Sequence, residues 1–198
     1  MTGLRERKKQ ATRLAIRDAG MRLFAERGFA KTTMDHIAEA ADVSRATVFT
    51  YFPTKEEIVF GDAGLAVAAL GGALADGAEA GTIATVRGWL GELEGWIEPE
   101  LVLQLRLARE VPDVGARRLA LYGAIEGVVA DALETELGER LPAQLAAAAL
   151  LAGMRITEET AVARIERSER ALSPEETDAL LDDAVRFAEA GIAALRAR

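Results

Sequence analysis

The sequence predicts an all-α protein of about nine helices, a small three-helix head over residues 1–55 and a larger helical body over residues 56–198. Three observations lead there. Half of the 198 residues are apolar and only five are Pro, a composition that suits packed helices. Apolar residues recur at three- and four-residue spacing along most of the chain, the period of a helix with one buried face. Ser, Thr and Gly fall at the ends of those runs, where helices start and stop.

The first ten residues read as a basic, flexible arm carrying Arg5, Arg7, Lys8 and Lys9. Helix 1 is expected from about residue 8 to Arg27, with Ile16, Ala19, Leu23 and Phe24 on one stripe and Gly28 stopping it. Two short helices follow with a tight turn between them. Thr33 is an N-cap for the first, whose apolar stripe is Met34, Ile37, Ala38 and Ala41. Asp42 then occupies the turn, because Asp tolerates left-handed backbone better than most residues. Ser44 caps the second helix, and Val48 and Phe52 face back onto the first. Pro53 ends it by pushing Phe52 out of the helical region.

Thr54 to Glu57 reads as a capping box that opens helix 4, expected to continue through Ile58, Leu65 and Leu70 into Gly71-Gly72, with a loop from Gly77 to Gly81. Gly61, Gly64, Gly71 and Gly72 soften that helix, either for close packing or so that it can shift. Helix 5 is expected over Thr82 to Glu98 with Pro99 closing it, and helix 6 over Glu100 to Glu110. Helix 7 runs from Pro112-Asp113 to Leu137, where Gly138 ends it. Helix 8 covers Pro142 to Ser168, and helix 9 opens with a capping box at Ser173 and Glu176. These last two helices are apolar on several sides, so one side must find a partner. A second copy of the chain would supply it as a four-helix interface.

Composition narrows the chemistry. There is no Cys and only one His, His36, so thiolate chemistry and a His-based metal site have no basis, and no cofactor is expected. His36 reads as a polar surface residue. The N-terminus lacks an apolar run and no stretch approaches about 18 uncharged apolar residues, so the expected compartment is the cytoplasm, away from membrane. Carboxylates such as Glu92, Glu94 and Glu98 have no partnered base or nucleophile and read as solvated helix faces. An enzyme is not expected.

The net charge of −8 divides unevenly. Residues 1–58 hold 11 basic and 8 acidic residues, a balance of +3, and residues 59–198 hold 13 Arg and 24 acidic residues, a balance of −11. A basic end on an acidic body is the pattern of a protein that lays one end on nucleic acid. The second short helix has outward residues that are small, polar or basic: Arg45, Ala46, Thr47, Thr50 and Tyr51. Such a face suits the DNA major groove. Arg45 can grip a guanine edge bidentately, Ala46 can meet a thymine methyl, and Thr50 can do either weakly.

At these residues the chain resembles the TetR family of transcriptional regulators. The resemblance runs from Arg13 to Ile58 through Ile16, Ala19, Leu23 to Phe29, Thr32-Thr33, Ile37-Ala38, Ala41, Val43-Ser44, Thr47, Tyr51-Phe52 and Lys55. It implies phosphate contacts from Thr33, Ser44, Thr47, Tyr51 and Lys55, with capping as the simpler role of Thr33 and Ser44. It also implies a homodimer through the last two helices, reading a palindromic double-stranded DNA operator. Three positions depart from the family pattern: Phe49 replaces a Tyr, Asp42 a turn Gly, and Gly20 an Ala. The body is expected to hold a small-molecule effector among Trp89, Leu93, Trp96, Leu103, Leu107, Tyr122, Ile125 and Met154, side chains that could equally be ordinary core. Their chemistry suits an apolar or amphipathic effector. The reading is therefore a ligand-responsive repressor, with a DNA-binding architectural or adaptor protein lacking an effector as the alternative.

Overall fold

A computed structural model describes residues 3–61, 63–77, 79–92 and 99–197. The described residues form ten α-helices and no strands: α1 (Leu4–Arg27), α2 (Met34–Ala40), α3 (Arg45–Tyr51), α4 (Lys55–Val59), α5 (Ala63–Asp76), α6 (Thr82–Glu92), α7 (Pro99–Glu110), α8 (Pro112–Leu137), α9 (Arg140–Glu166) and α10 (Pro174–Arg196). None of them is long and apolar enough to cross a membrane. By packing, the chain separates into two compact units, Met1–Asp62 with Arg106–Arg118, and Ala63–Leu105 with Leu119–Arg198.

The expected helices are present among the described residues, with corrections at their ends; residues 93–98 of the expected helix 5 lie outside the described residues. Most of the basic arm is helical, because α1 starts at Leu4 and the residues that follow are good helix formers. Helix 4 is not one helix. It breaks after Val59, where Phe60 leaves helical geometry at φ −115° and ψ 36°, and resumes as α5. The break has a tertiary cause: Arg13 Nη2 donates to the Gly61 carbonyl, and Gly61 packs so tightly that a Cβ would lie 3.0 Å from the Phe52 ring and 3.1 Å from Arg17 Cδ. The second piece, α5, runs through the glycine pair to Asp76, just before the expected loop at Gly77. Pro99 opens α7 rather than merely ending its predecessor, as Pro at a first helical position can. Thr54 caps α4 through the Glu57 N–H at 3.3 Å, but Glu57 turns its carboxylate to Arg117 at 3.5 Å instead of completing the box.

The core of the first unit is largely the one its stripes predict, although Met34 and Ala41 of the α2 stripe are only half-buried. Ile16, Phe24, Ile37, Val48, Phe52 and Ile58 are all essentially inaccessible. Gly20 faces Ile58 so closely that a Cβ would lie 2.6 Å from Ile58 Cγ2, which accounts for Gly where an Ala was the expectation. In the second unit, Leu70, Leu90, Val129, Leu150 and Leu181 bring α5, α6, α8, α9 and α10 into one core. Helices α9 and α10 form the most extensive helix pair. The Thr82 amide donates to Glu136 Oε2 at 2.8 Å, capping α6, and Arg87 on α6 is paired with Asp178 and Asp182 on α10. The expected capping box at Ser173 is complete, with both bonds to Glu176 formed. The Ser173 amide, then Arg164 and Arg170, hold the Glu176 carboxyl at about 2.

Candidate nucleic-acid interface

The helix pair α2–α3 is set by its caps. Thr33 Oγ1 accepts the His36 N–H at 3.2 Å, and His36 Nδ1 accepts the Thr33 N–H at 3.3 Å. His36 is thus the second half of a capping box and not a free surface residue. The turn closes by Ala41 N–H to Ile37 O at 2.9 Å and Val43 N–H to Ala38 O at 3.0 Å. Asp42 takes φ +53° between them, the left-handed region where a Cβ costs about 1–2 kcal/mol. Replacing Asp42 by Gly removes that Cβ and a negative charge. We expect a gain of about 0.5–1 kcal/mol in thermal stability, after the larger chain entropy of Gly is subtracted. A melt in which Asp42→Gly is less stable than the parent would show that the turn is not strained.

Ser44 Oγ accepts the Thr47 N–H at 3.0 Å and lies 2.8 Å from Thr47 Oγ1, which squares the first turn of α3. Val48 points into the core. Arg45, Ala46, Phe49 and Thr50 are exposed, while Thr47 and Tyr51 are half-buried beside them. Positions i, i+1, i+4 and i+5 share one helix face, so the three residues expected to read bases are presented together. Thr50 Oγ1 donates to the Ala46 carbonyl at 2.9 Å, leaving its lone pairs outward. Arg45 is tethered to Asp35 on α2 at 3.3 Å and lies 5.5 Å from the centre of the Phe49 ring.

Two cations near this surface serve the fold as well. Lys55 Nζ donates to the carbonyls of Phe29 at 2.7 Å and Thr32 at 2.9 Å, and sits 4.4 Å from the Phe29 ring centre. An ammonium has three donors, so one remains for a phosphate. Arg13, which sequence reasoning gave no role, donates to the Tyr51 carbonyl at 3.2 Å and lies 4.4 Å from the Phe52 ring centre. It caps the last turn of α3 with a cation, where helix carbonyls lack partners. Its partners are 38 and 48 residues away, beyond the reach of any local pattern.

The expected effector residues divide. Ile125 is buried in the second unit's core, and Trp89, Tyr122 and Met154 are half-buried against it. The Tyr122 hydroxyl donates to the Glu158 carboxylate, a polar feature the sequence did not suggest. Leu103 is buried in the same unit, whereas Leu107, also buried, packs with the first unit. Leu93 and Trp96 lie outside the described residues. A groove of about 310 Å³ lies elsewhere, on α9 and α10, lined by Ala149, Gly153, Ile156, Leu180, Ala184 and Phe187 among others.

Residues 16–60 match the family model described as bacterial regulatory proteins, tetR family. A mycofactocin biosynthesis transcriptional regulator, MftR of Mycobacterium tuberculosis, is 38% identical over 68 residues, which are 34% of this chain and 34% of that protein. The chain thus spans about a third of the length of this curated relative. The fold is similar over most of its length to two crystal structures. One is a TetR-family transcriptional regulator from Mesorhizobium loti, with TM-score 0.64, 20% identity and coverage of 92% of this chain and 96% of that one. The other is FadR of Thermus thermophilus, a TetR-family repressor in complex with lauroyl-CoA, with TM-score 0.61, 24% identity and coverage of 90% and 94%. Residues 16–60 thus match the tetR-family model, and the fold of the described residues is similar to that of TetR-family transcriptional regulators.

Proposed function

We infer that the protein is a transcriptional regulator that binds a palindromic operator as a homodimer and represses until a small molecule releases it. The observation that carries this is the single exposed face of α3, where Arg45, Ala46 and Thr50 stand together on a helix capped at both ends. Arg45, Ala46 and Thr50 read base edges, and Thr33, Ser44, Thr47, Tyr51 and Lys55 position the head on phosphates. Two such heads must sit about 34–36 Å apart to enter successive major grooves. A second copy covers the α9–α10 face, on which Ile156 and Phe187 are 53% and 73% exposed.

The effector in this reading is apolar or amphipathic and lies among the expected lining residues of the body. FadR, crystallised with lauroyl-CoA, illustrates that a body of this fold can take such a molecule. The ligand relieves repression only by preferring the DNA-incompetent form, and tenfold relief requires about 1.4 kcal/mol of that preference. The ligand-free adaptor draws support from one observation: Ile125, Trp89, Tyr122 and Met154 pack on a continuous core, and the groove on α9 and α10 involves none of them.

The test is binding of the purified protein to DNA from its own upstream intergenic region, at two salt concentrations, with and without a panel of fatty acyl and other apolar compounds. Specific, salt-sensitive binding that one compound releases is the expected result. Specific binding that none of them changes would favour the adaptor, and no specific binding would overturn the reading.

A further inference from the structure

The pairing of Asp35 with Arg45 gives α3 a feature that base chemistry alone does not supply. The two residues are on different helices and meet across the turn, Arg45 Nη1 lying 3.3 Å from Asp35 Oδ2. Phe49, one helical turn beyond Arg45, brings its ring centre to 5.5 Å from the guanidinium carbon. Both charged side chains are more than 60% exposed, and exposed pairs contribute little to stability. What the pair supplies is orientation. A guanidinium offers five N–H donors in a rigid fork, so a carboxylate on Nη1 leaves Nε and Nη2 facing outward together. Those two donors can meet guanine N7 and O6 bidentately.

We propose that Asp35 and Phe49 are positioning residues that hold Arg45 in the orientation that selects guanine. The proposal rests on the assignment of Arg45 to base reading and deepens it. Asp35 anchors one end of the fork, and Phe49 covers one face, so Arg45 loses less rotamer freedom when a guanine arrives. Asp35 has a second effect of opposite sign. Its negative charge opposes every approach to phosphate, whatever the sequence. Removing the charge therefore strengthens binding to unrelated DNA while weakening the preference for guanine. A residue that only supported α2 would lower binding to all sequences together.

The experiment uses the full-length protein and the protected duplex from its upstream region, with each G·C pair replaced in turn, at one fixed ionic strength. Asp35→Asn keeps the size of the side chain and removes its charge. Discrimination at one base pair should fall about three- to tenfold, a fraction of what a bidentate contact supplies. Affinity for unrelated DNA should rise about two- to fivefold. Asp35→Glu should restore the preference, and Phe49→Leu should weaken it without changing the charge. Unchanged or sharpened discrimination in both Asp35→Asn and Phe49→Leu would overturn the proposal. Arg45→Ala separates the two failures. If it erases the preference at one pair that Asp35→Asn leaves intact, only the positioning role has failed. If it alters no preference, base reading by Arg45 has failed and the proposal with it.

Discussion

Arg45→Ala is expected to weaken binding to the specific operator by about 5- to 150-fold, the 1–3 kcal/mol of a bidentate base contact. Binding to unrelated DNA should change far less, because that affinity comes from charge neutralisation spread over the basic head. The side chain is 64% exposed and pairs with Asp35 and Phe49 at the surface, so its loss leaves the hydrophobic core intact. The melting curve of the variant should therefore overlay that of the parent. A phosphate contact behaves differently. Removing one should lower affinity uniformly across sequences and reduce the salt slope by about one unit. Titration against specific and scrambled duplexes at several salt concentrations distinguishes the two. An equal loss on both duplexes would move Arg45 from the base-reading group to the phosphate group.

The parts of the fold that were legible in the sequence are those fixed by neighbours a few residues apart. Thr33, Ser44, Thr54 and Ser173 cap the helices they precede, because a cap is a contact between residues three apart. Gly28 and Gly138 stop α1 and α8 at φ +83° and +75°, and the stripe Ile16, Ala19, Leu23, Phe24 is buried as its spacing requires. The illegible parts are long-range. The break between α4 and α5 comes from Arg13, 48 residues before the Gly61 carbonyl it takes, while the local pattern of apolar residues continues across it. Lys55 reads as a phosphate ligand from its place at a helix start, yet its ammonium first satisfies two carbonyls from 23 and 26 residues earlier. In the body, the helical stripe that suggested a ligand pocket is the same stripe that makes a core. Trp89, Tyr122 and Ile125 satisfy either description, since periodicity records that a face is buried and not what buries it.

Gly153→Leu should cost the fold about 3 kcal/mol, at the upper end of overpacking effects. A Cβ at position 153 would fall on the Ala184 Cβ, with Ala184 Cα only 3.5 Å away. Both helices are continuous through this point, and a Cβ has no rotamer, so α9 must move off α10. Leaving the glycine flexible offers no compensation large enough, because the helix gains only about 1 kcal/mol when Gly is replaced. For a chain of this size the melting temperature should fall roughly 6–12 °C. The same substitution projects into the groove where Ile156 and Phe187 lie, so self-association should suffer too. Phe187→Asp isolates that second effect. Phe187 is 73% exposed, and a charge there costs the single chain little, but in a dimer it would bury an unpaired carboxylate. Sedimentation should show Phe187→Asp as a monomer that melts with the parent, whereas Gly153→Leu melts at a lower temperature. If Phe187→Asp sediments like the parent, the copies do not meet on this face. If Gly153→Leu melts with the parent, close helix approach at Gly153 is not what sets the spacing of α9 and α10.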